Sequence, residues 1–499
     1  MRERELKLAL PGRFDVPPLL LDGQLLHQSP LSDLNLRATY YDSADLRLAR
    51  HGVSLRYRTG EAGGPTWTLK LPIGANADGP TLERNELHFE GPAREPPIQA
   101  RALTTAYART EPLVAVATLR TRRRRMHLLA EDEPVAEVAI DEVSVVEGRR
   151  VVSRFRELEV EDLRGDLPLA TLADQLREAG ATGAEPISKV VRALGSRATA
   201  PPDVRPVVLA PDANLGDAVR AAVADALQRL VRNDPLARLG DAEGIHQVRV
   251  AFRRLRSDLR TLGGAVDPSW RQRIEPKLRA TGAALAAARD LDVLIDHLRE
   301  DAAGSRSAVA PLFTALARRR EHAHAEMGAT LDSPAYPQLL EELVAAIDEA
   351  PAGPAAGEPA STALPRLALE AFRRLERRAT DLDESSPDAE YHRARIAAKR
   401  ARYAAELAGR TLSGRRASGA ERLAQRIADM QDLLGEMQDA TIAETMIRET
   451  LISRRRGAAY AFEAGRLVER QRARAFAARG RFLERWPDLR RARWRRWAR

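Results

Sequence analysis

The sequence predicts an α+β chain of two domains, a strand-rich N-terminal part followed by an all-α tandem helical repeat. Three observations predict it. Residues 1–195 contain many short runs in which apolar and polar residues alternate with period two, as in half-buried strands. Residues 212–499 are rich in Ala, Leu, Arg and Glu at helical spacing. Between them lies "GSRATAPPDVRPVVLAPDAN", a Pro- and Ala-rich linker. A chain of 499 residues is too long for one core. The expected organisation is a domain over 1–197, a linker over 198–211 and a helical domain over 212–499.

The formal charge of +9 is unevenly spread. Residues 1–200 hold 28 basic and 29 acidic groups, against 52 and 42 in the remainder. The whole excess lies in the helical part and favours a polyanionic partner there. The chain has no cysteine, which excludes disulfides and thiolate metal sites. "MRERELKLAL" lacks the apolar core of a signal peptide. No apolar run approaches the roughly 20 residues that span a bilayer. The expectation is a soluble, cytoplasmic protein without a membrane partner. Only five of the 80 basic residues are lysines: Lys7, Lys70, Lys189, Lys277 and Lys399. Each marks a place where a compact ammonium is preferred over a planar fork, or a chance survival.

The strands show which residues share a face. In "RERELKLAL", Glu3, Glu5 and Lys7 oppose Leu6, Leu8 and Leu10. In "VSLRYRT", Arg56 and Arg58 oppose Val53, Leu55 and Tyr57; in "WTLKLP", Lys70 opposes Leu69 and Leu71. In "ATLRTRRRRM", Arg120, Arg122 and Arg124 alternate. Asp141 lies in "VAIDEVSV", and Glu157, Glu159 and Glu161 share a face in "FRELEVEDL". For one strand this pattern means a solvated charged face. Over six strands it separates acid triplets from basic pairs. Carboxylate clusters suit Mg²⁺ or Mn²⁺, and Arg and Lys clusters suit phosphate oxygens.

Glu3-x-Glu5-x-Lys7 resembles the ExExK signature of the CYTH domain, the triphosphate tunnel metalloenzyme family. The likeness continues through "TYYDSADLRLARHGVSLRYR", "TLKLP", "LERNE", "AIDEVSV", "RELEVE" and "ISKVVRAL", in order, over residues 1–197. The resemblance implies an antiparallel barrel of about eight strands forming a tunnel, with flanking helices. It implies that Glu3, Glu5, Glu157 and Glu159 hold Mg²⁺ or Mn²⁺, with Asp141 and Glu86 as further candidates. It implies that Lys7, Arg56, Arg58, Lys70, Arg122 and Lys189 grip phosphates, with Arg84, Arg120 and Arg124 as additions. Ala9 departs from the pattern, since some members carry a basic residue there. The activities implied are those of inorganic, thiamine and RNA triphosphatases and of class IV adenylate cyclases.

The helical part repeats itself. "HQVRVAFRRLR" (246–256) is echoed by "HRARIAAKRAR" (392–402), and Asp290 and Asp439 take equivalent later positions. The repeats run over about 212–349 and 363–490, with "APAGPAAGEPAST" between them as an expected mobile loop. At about 100° per residue, His246, Arg249, Arg253, Arg256 and Arg260 fall within roughly 80° of arc. Val248, Phe252, Leu255 and Leu259 occupy a separate arc. His392, Arg395, Lys399 and Arg402 repeat the stripe beside an alanine face. Like charges at such spacing repel, so a stripe present twice calls for an anion. These segments resemble the CHAD domain, a module of two related helical bundles. The resemblance implies polyphosphate binding by His246, Arg249, Arg253, Arg256, His392, Arg395, Lys399 and Arg402, with Arg260 as an addition, and association with polyphosphate granules. Asp290 and Asp439 would buttress the arginines. The tail "RRARWRRWAR" reads either as part of a polyanion surface or as disordered.

Together these readings give a metal-dependent inorganic triphosphatase, releasing pyrophosphate and phosphate, joined to a polyphosphate-binding domain. The alternatives are a non-catalytic polyphosphate scaffold and a nucleoside triphosphatase or cyclase. Nucleic acid is disfavoured because aromatic residues, the stacking platforms for single strands, make up only 4%.

Overall fold

The computed structural model describes residues 2–73, 81–183, 187–304, 306–452 and 457–498. The chain forms two compact units that meet in sequence at Asp203 and Val204.

The N-terminal unit contains β1 (Arg2–Ala9), a hairpin of β2 (Leu20–Leu21) and β3 (Gln24–Leu25), β4 (His27–Asp42), helix α1 (Arg47–Arg50), β5 (Ser54–Thr59), β6 (Thr66–Pro72) and β7 (Thr81–Phe89). Helix α2 (Ile98–Ala108), β8 (Val114–Ala130), β9 (Glu133–Glu147), β10 (Arg150–Asp162), α3 (Leu169–Glu178) and α4 (Lys189–Leu194) follow. Eight strands close an antiparallel barrel in the order β1-β10-β9-β8-β4-β5-β6-β7. The first strand closes it by pairing with both β10 and β7.

The alternation read from the sequence has an unusual sense here. Leu6, Leu8, Leu158 and Val160 point outward and are buried beneath Leu169, Leu172 and Leu176 of α3. The opposite face of β1 and β10, with Glu3, Glu5, Lys7, Glu159 and Glu161, lines the barrel interior. The charged face is therefore enclosed and not solvated, because a helix covers the apolar one. Residues just before the unit boundary stay with the barrel: Arg50 donates to the Pro201 carbonyl, and Asp203 pairs with Arg109 and His51.

The second unit is all-α, as expected: α5 (Leu215–Arg238), α6 (Ala242–Thr261), α7 (Pro268–Asp301), α8 (Ala310–Asp332), α9 (Ala335–Asp348), α10 (Ala360–Ala379), α11 (Asp388–Thr411), α12 (Gly414–Ile452) and α13 (Ala458–Leu489). Side-chain oxygens of Asn214, Asp241 and Asp267 cap α5, α6 and α7. The alanines of α11, among them Ala394, Ala398 and Ala401, pack into a core with Phe372, Tyr391 and Phe482.

One sequence expectation is corrected, and one of two alternatives for the tail is removed. The segment between the repeats, expected to be mobile, is tied down. It exchanges backbone hydrogen bonds with Ala213, Leu215 and Gly216 on one side and with Gly264, Ala265 and Asp267 on the other. These bonds satisfy its peptide groups as a sheet would. The tail is not disordered: Ala492–Ala498 forms a 3₁₀ turn, Trp494 and Trp497 pack against the core, and Arg495 pairs with Glu376 at 2.8 Å.

The tied segment passes closest at Gly353, where a Cβ would come within 2.6 Å of the Val266 carbonyl oxygen and 2.8 Å of that of Gly264. Gly357 has open space around it. Gly353→Ala should therefore destabilise the helical unit by about 1–3 kcal/mol, while Gly357→Ala is neutral. Thermal unfolding of both variants, with equal midpoints as the contrary result, checks this.

Candidate functional site

The barrel encloses a cavity of about 280 Å³. Strands β5 to β8 supply its cations: Arg56, Arg58, Lys70, Arg84, Arg123 and Arg125. Strands β1, β7, β9 and β10 supply Glu3, Glu5, Glu86, Glu137, Glu159 and Glu161. Lys7 from β1 and Lys189 from the start of α4 stand among the acids.

The buried charges are paired. Lys189 Nζ lies 2.8 Å from Asp141, 2.7 Å from Glu157 and 2.7 Å from Glu159. Arg123 donates to Asp141 through Nε at 2.8 Å and Nη2 at 2.7 Å, and also reaches Glu159. Lys7 pairs with Glu159 and lies 3.5 Å from Glu5, which also meets Arg84. Lys70 bridges Glu3 at 2.6 Å and Glu86 at 2.9 Å.

These pairs set the protonation states. Burial disfavours the Glu5 anion, yet Lys7 and Arg84 hold its pKa at about 2. Burial likewise opposes ionisation of Glu86, and Lys70 and Arg56 bring it to about 2. Among the described residues Glu161 forms no ion pair: burial and the neighbouring Glu3 push it up to about 7 against the pull of Lys70. Arg58 is pulled down to about 10 by burial and by Arg56.

The expected metal ligands do not form one cluster. Oxygens of Asp141, Glu157 and Glu159 come within 4.8 Å of one another, all buried. Glu3 is paired with Lys70, and Glu5 with Arg84, Lys7 joining Glu5 to Glu159 of the triad. Hard oxygen donors of this kind fit Mg²⁺ or Mn²⁺. At the triad the Lys189 ammonium sits where a cation would be drawn. At Glu161, which stands beside Glu3, a further cation would be favoured.

Arg120, Arg122 and Arg124 are corrected. All three are exposed on the outer face of β8, Arg122 lying 3.8 Å from Asp33 and Arg124 4.0 Å from Asp15. Pairing of Arg123 with Asp141 and of Arg125 with Ala139 turns the odd-numbered arginines inward. A one-residue slip exchanges the faces of a strand. Arg123, Arg125, Glu137 and Tyr40 line the cavity although the sequence patterns did not mark them. Met126 and Leu128, packed on the outer core, carried the signal for β8, since they mark even positions as outward.

In the helical unit His246, Arg249, Arg253, Arg256 and Arg260 lie on α6, and His392, Arg395, Lys399 and Arg402 on α11. The two stripes meet at their middles. Lys399 is pulled down to about 8 by burial, by Arg395, and by Arg253 and Arg249 of the facing helix. Arg253 and Arg402 both stand over the Tyr403 ring, at 5.8 and 5.9 Å. Asp290 pairs with Arg249 at 2.8 Å, and burial raises Asp439 against the pull of Arg395. Arg260 and Arg402 are matched internally, by Glu275 and Glu406 at 2.7 Å each. The Nε groups of Arg253, Arg256, Arg289 and Arg395 are buried without a hydrogen-bond partner. Arg289, on α7, carries no signal in the repeat because it lies outside 246–256 and its counterpart beside Asp439 is Gln438.

Residues 1–194 match the CYTH domain family model and residues 221–448 the CHAD domain model. The chain is a CYTH domain followed by a CHAD domain. It is 29% identical over 467 residues to an uncharacterised protein found in two strains of Mycobacterium tuberculosis, covering 87% of this chain and 85% of that one. Among solved structures, PptA from Streptomyces chartreusis matches at 23% identity and a TM-score of 0.47, over 55% of this chain and all of that one. The CHAD domain from the plant Ricinus communis matches at 25% and 0.48, over 57% of this chain and 96% of that one. The CYTH domain places the barrel among the triphosphate tunnel metalloenzymes, a family of hydrolases and cyclases.

Replacing Lys189 tests how the CYTH interior is held. Lys189→Met leaves Asp141, Glu157 and Glu159 short of one cation, and should cost about 3–5 kcal/mol. Guanidinium unfolding at pH 7.5 reads this; a loss below about 1 kcal/mol would show that the triad is not held by that ammonium.

Proposed function

We propose that the CYTH domain hydrolyses an inorganic triphosphate to pyrophosphate and phosphate with Mg²⁺ or Mn²⁺, and that the CHAD domain binds inorganic polyphosphate. The observation that carries the first part is the enclosed cavity with cations on one wall and carboxylates on the other. A triphosphate is a compact polyanion, and Arg56, Arg58, Lys70, Arg84 and Arg123 offer forked and point-charge donors to its oxygens. The triad Asp141, Glu157 and Glu159, with Lys189 displaced, or Glu3 and Glu5 across the cavity, would hold the divalent ion, which when bound would supply Lewis-acid polarisation of phosphoryl oxygens. The chain's own contribution is positioning and charge stabilisation: the arginine wall neutralises the charge that builds on the transferred phosphoryl group. Glu5, Lys7, Lys70, Arg84, Glu159 and Lys189 are buried, which strengthens these interactions.

Glu3→Ala, Lys7→Ala and Arg123→Gln should each lower phosphate release from tripolyphosphate by at least about 100-fold, whereas Arg122→Gln stays within about twofold. A malachite-green assay with Mg²⁺ and Mn²⁺ checks this. Wild-type turnover in the first three, or cyclic product from ATP in place of phosphate release, would sink the reading.

The CHAD reading rests on the facing stripes with orphaned arginine Nε groups. Phosphate beside Lys399 restores the ammonium, so binding near pH 8 should take up a proton and weaken as pH rises through 8. Calorimetry of polyphosphate binding in two buffers of different ionisation enthalpy detects the uptake. Lys399→Arg, which stays charged, should abolish it.

A further inference from the structure

The arginines of β8 that face away from the cavity have their own setting. On the outer face of the barrel, β4, β8, β9 and β10 place two rungs of residues side by side. One rung runs Arg37, Arg120, Ser144, Arg154 and the next Asn35, Arg122, Glu142, Arg156. These residues line a groove of about 860 Å³. Five guanidinium groups thus share the groove with one carboxylate. Glu142 lies 3.5 Å from Arg156 and Asp33 lies 3.8 Å from Arg122. Among the described residues no carboxylate lies within 4 Å of Arg37, Arg120 or Arg154.

An ordinary solvated strand face mixes signs across neighbouring strands, because like charges placed directly opposite are unfavourable. Here Arg37 and Arg120 are register partners. The Arg156 Nε is buried and makes no hydrogen bond. The groove is therefore built for an anion that the fold does not itself provide. Its cations are all arginines, whose planar forks match phosphate oxygens in pairs. The rungs cross four strands, which at about 4.8 Å per strand sets the cations along roughly 14 Å. A single phosphate would reach only one end of such a row; a linear chain of phosphates would run along it. Bases would find no stacking platform. The one aromatic at the groove is Phe155, and the Arg192 guanidinium already covers its ring at 5.3 Å.

We propose that this outer groove of the CYTH barrel is a second binding site for linear inorganic polyphosphate, separate from both the tunnel and the CHAD stripes. Only the identity of the polymer rests on the function proposed above.

The test uses the full chain and fluorescently labelled long-chain polyphosphate, read by anisotropy. In R249Q/R253Q/R395Q/K399Q, with the CHAD stripes disabled, a weaker binding should persist. Adding R37Q/R154Q/R156Q should lower that residual affinity roughly tenfold or more, while R37Q/R154Q/R156Q alone leaves tripolyphosphate hydrolysis unchanged. If the triple variant melts early, R37Q/R154Q gives the same readout, since neither of those arginines has an ion pair to lose among the described residues. Absence of residual binding, or residual binding indifferent to the groove substitutions, overturns the proposal. Displacement by single-stranded RNA as readily as by unlabelled polyphosphate overturns the choice of ligand. If the stripe substitutions leave binding at the wild-type level, it is the CHAD reading that fails. The groove substitutions on the unmodified CHAD background then decide this site alone.

Discussion

The barrel depends on one interaction, the Lys189 ammonium held among Asp141, Glu157 and Glu159. Carboxylates placed this deep repel one another and lose their hydration. Without a cation among them, β9 and β10 could not point this face inward. Burial alone would force Lys189 toward its neutral form, but the three carboxylates keep it charged. The same logic extends along the cavity through Lys7, Arg123, Arg84 and Lys70. Each of these cations meets a carboxylate, and among the described residues Glu161 forms no ion pair. An interior of this kind is a ready-made exchange medium. A substrate anion can replace a carboxylate as partner of an arginine, and a metal ion can replace an ammonium as partner of a carboxylate.

Much of this is legible in the sequence because strands report their faces. Glu3, Glu5 and Lys7 alternate with leucines, so the alternation alone puts them on a common side. Arg56, Arg58 and Lys70 are legible for the same reason. The alternation does not say which side is inside, since a charged face on a strand is normally the wet one. That depends on α3, whose leucines cover the apolar side. The arginine run fails differently. In "TRRRRM" both parities carry the same residue, so the pattern holds no information about register. Only the pairing of Arg123 with Asp141 resolves it, and that contact is made across strands. Helical stripes are more forgiving, because a wheel places every residue once the helix is given. The α6 and α11 stripes are therefore legible as stripes. That they face each other is a tertiary fact no wheel contains.

In the CHAD domain the cations are left partly unmatched where in the barrel they are matched. Lys399 is the clearest case, since three arginines surround it and burial adds to their effect. The fold holds this repulsion because the alanine face of α11 packs closely and the ends of the stripes are neutralised by Glu275 and Glu406. Charge is balanced at the margins and unbalanced in the middle.

The short segment joining the two repeats carries a further consequence. Its backbone bonds reach both the entry to α5 and the turn between α6 and α7, so it stitches the start of the second repeat into the first. Repeat proteins whose units touch only through neighbouring faces can fray one unit at a time. Here the connector that leads into the second repeat is itself bonded into the first, and losing the first repeat would strand its hydrogen bonds. The duplicated halves should behave as a single cooperative block, so that neither stripe is ever presented without the other.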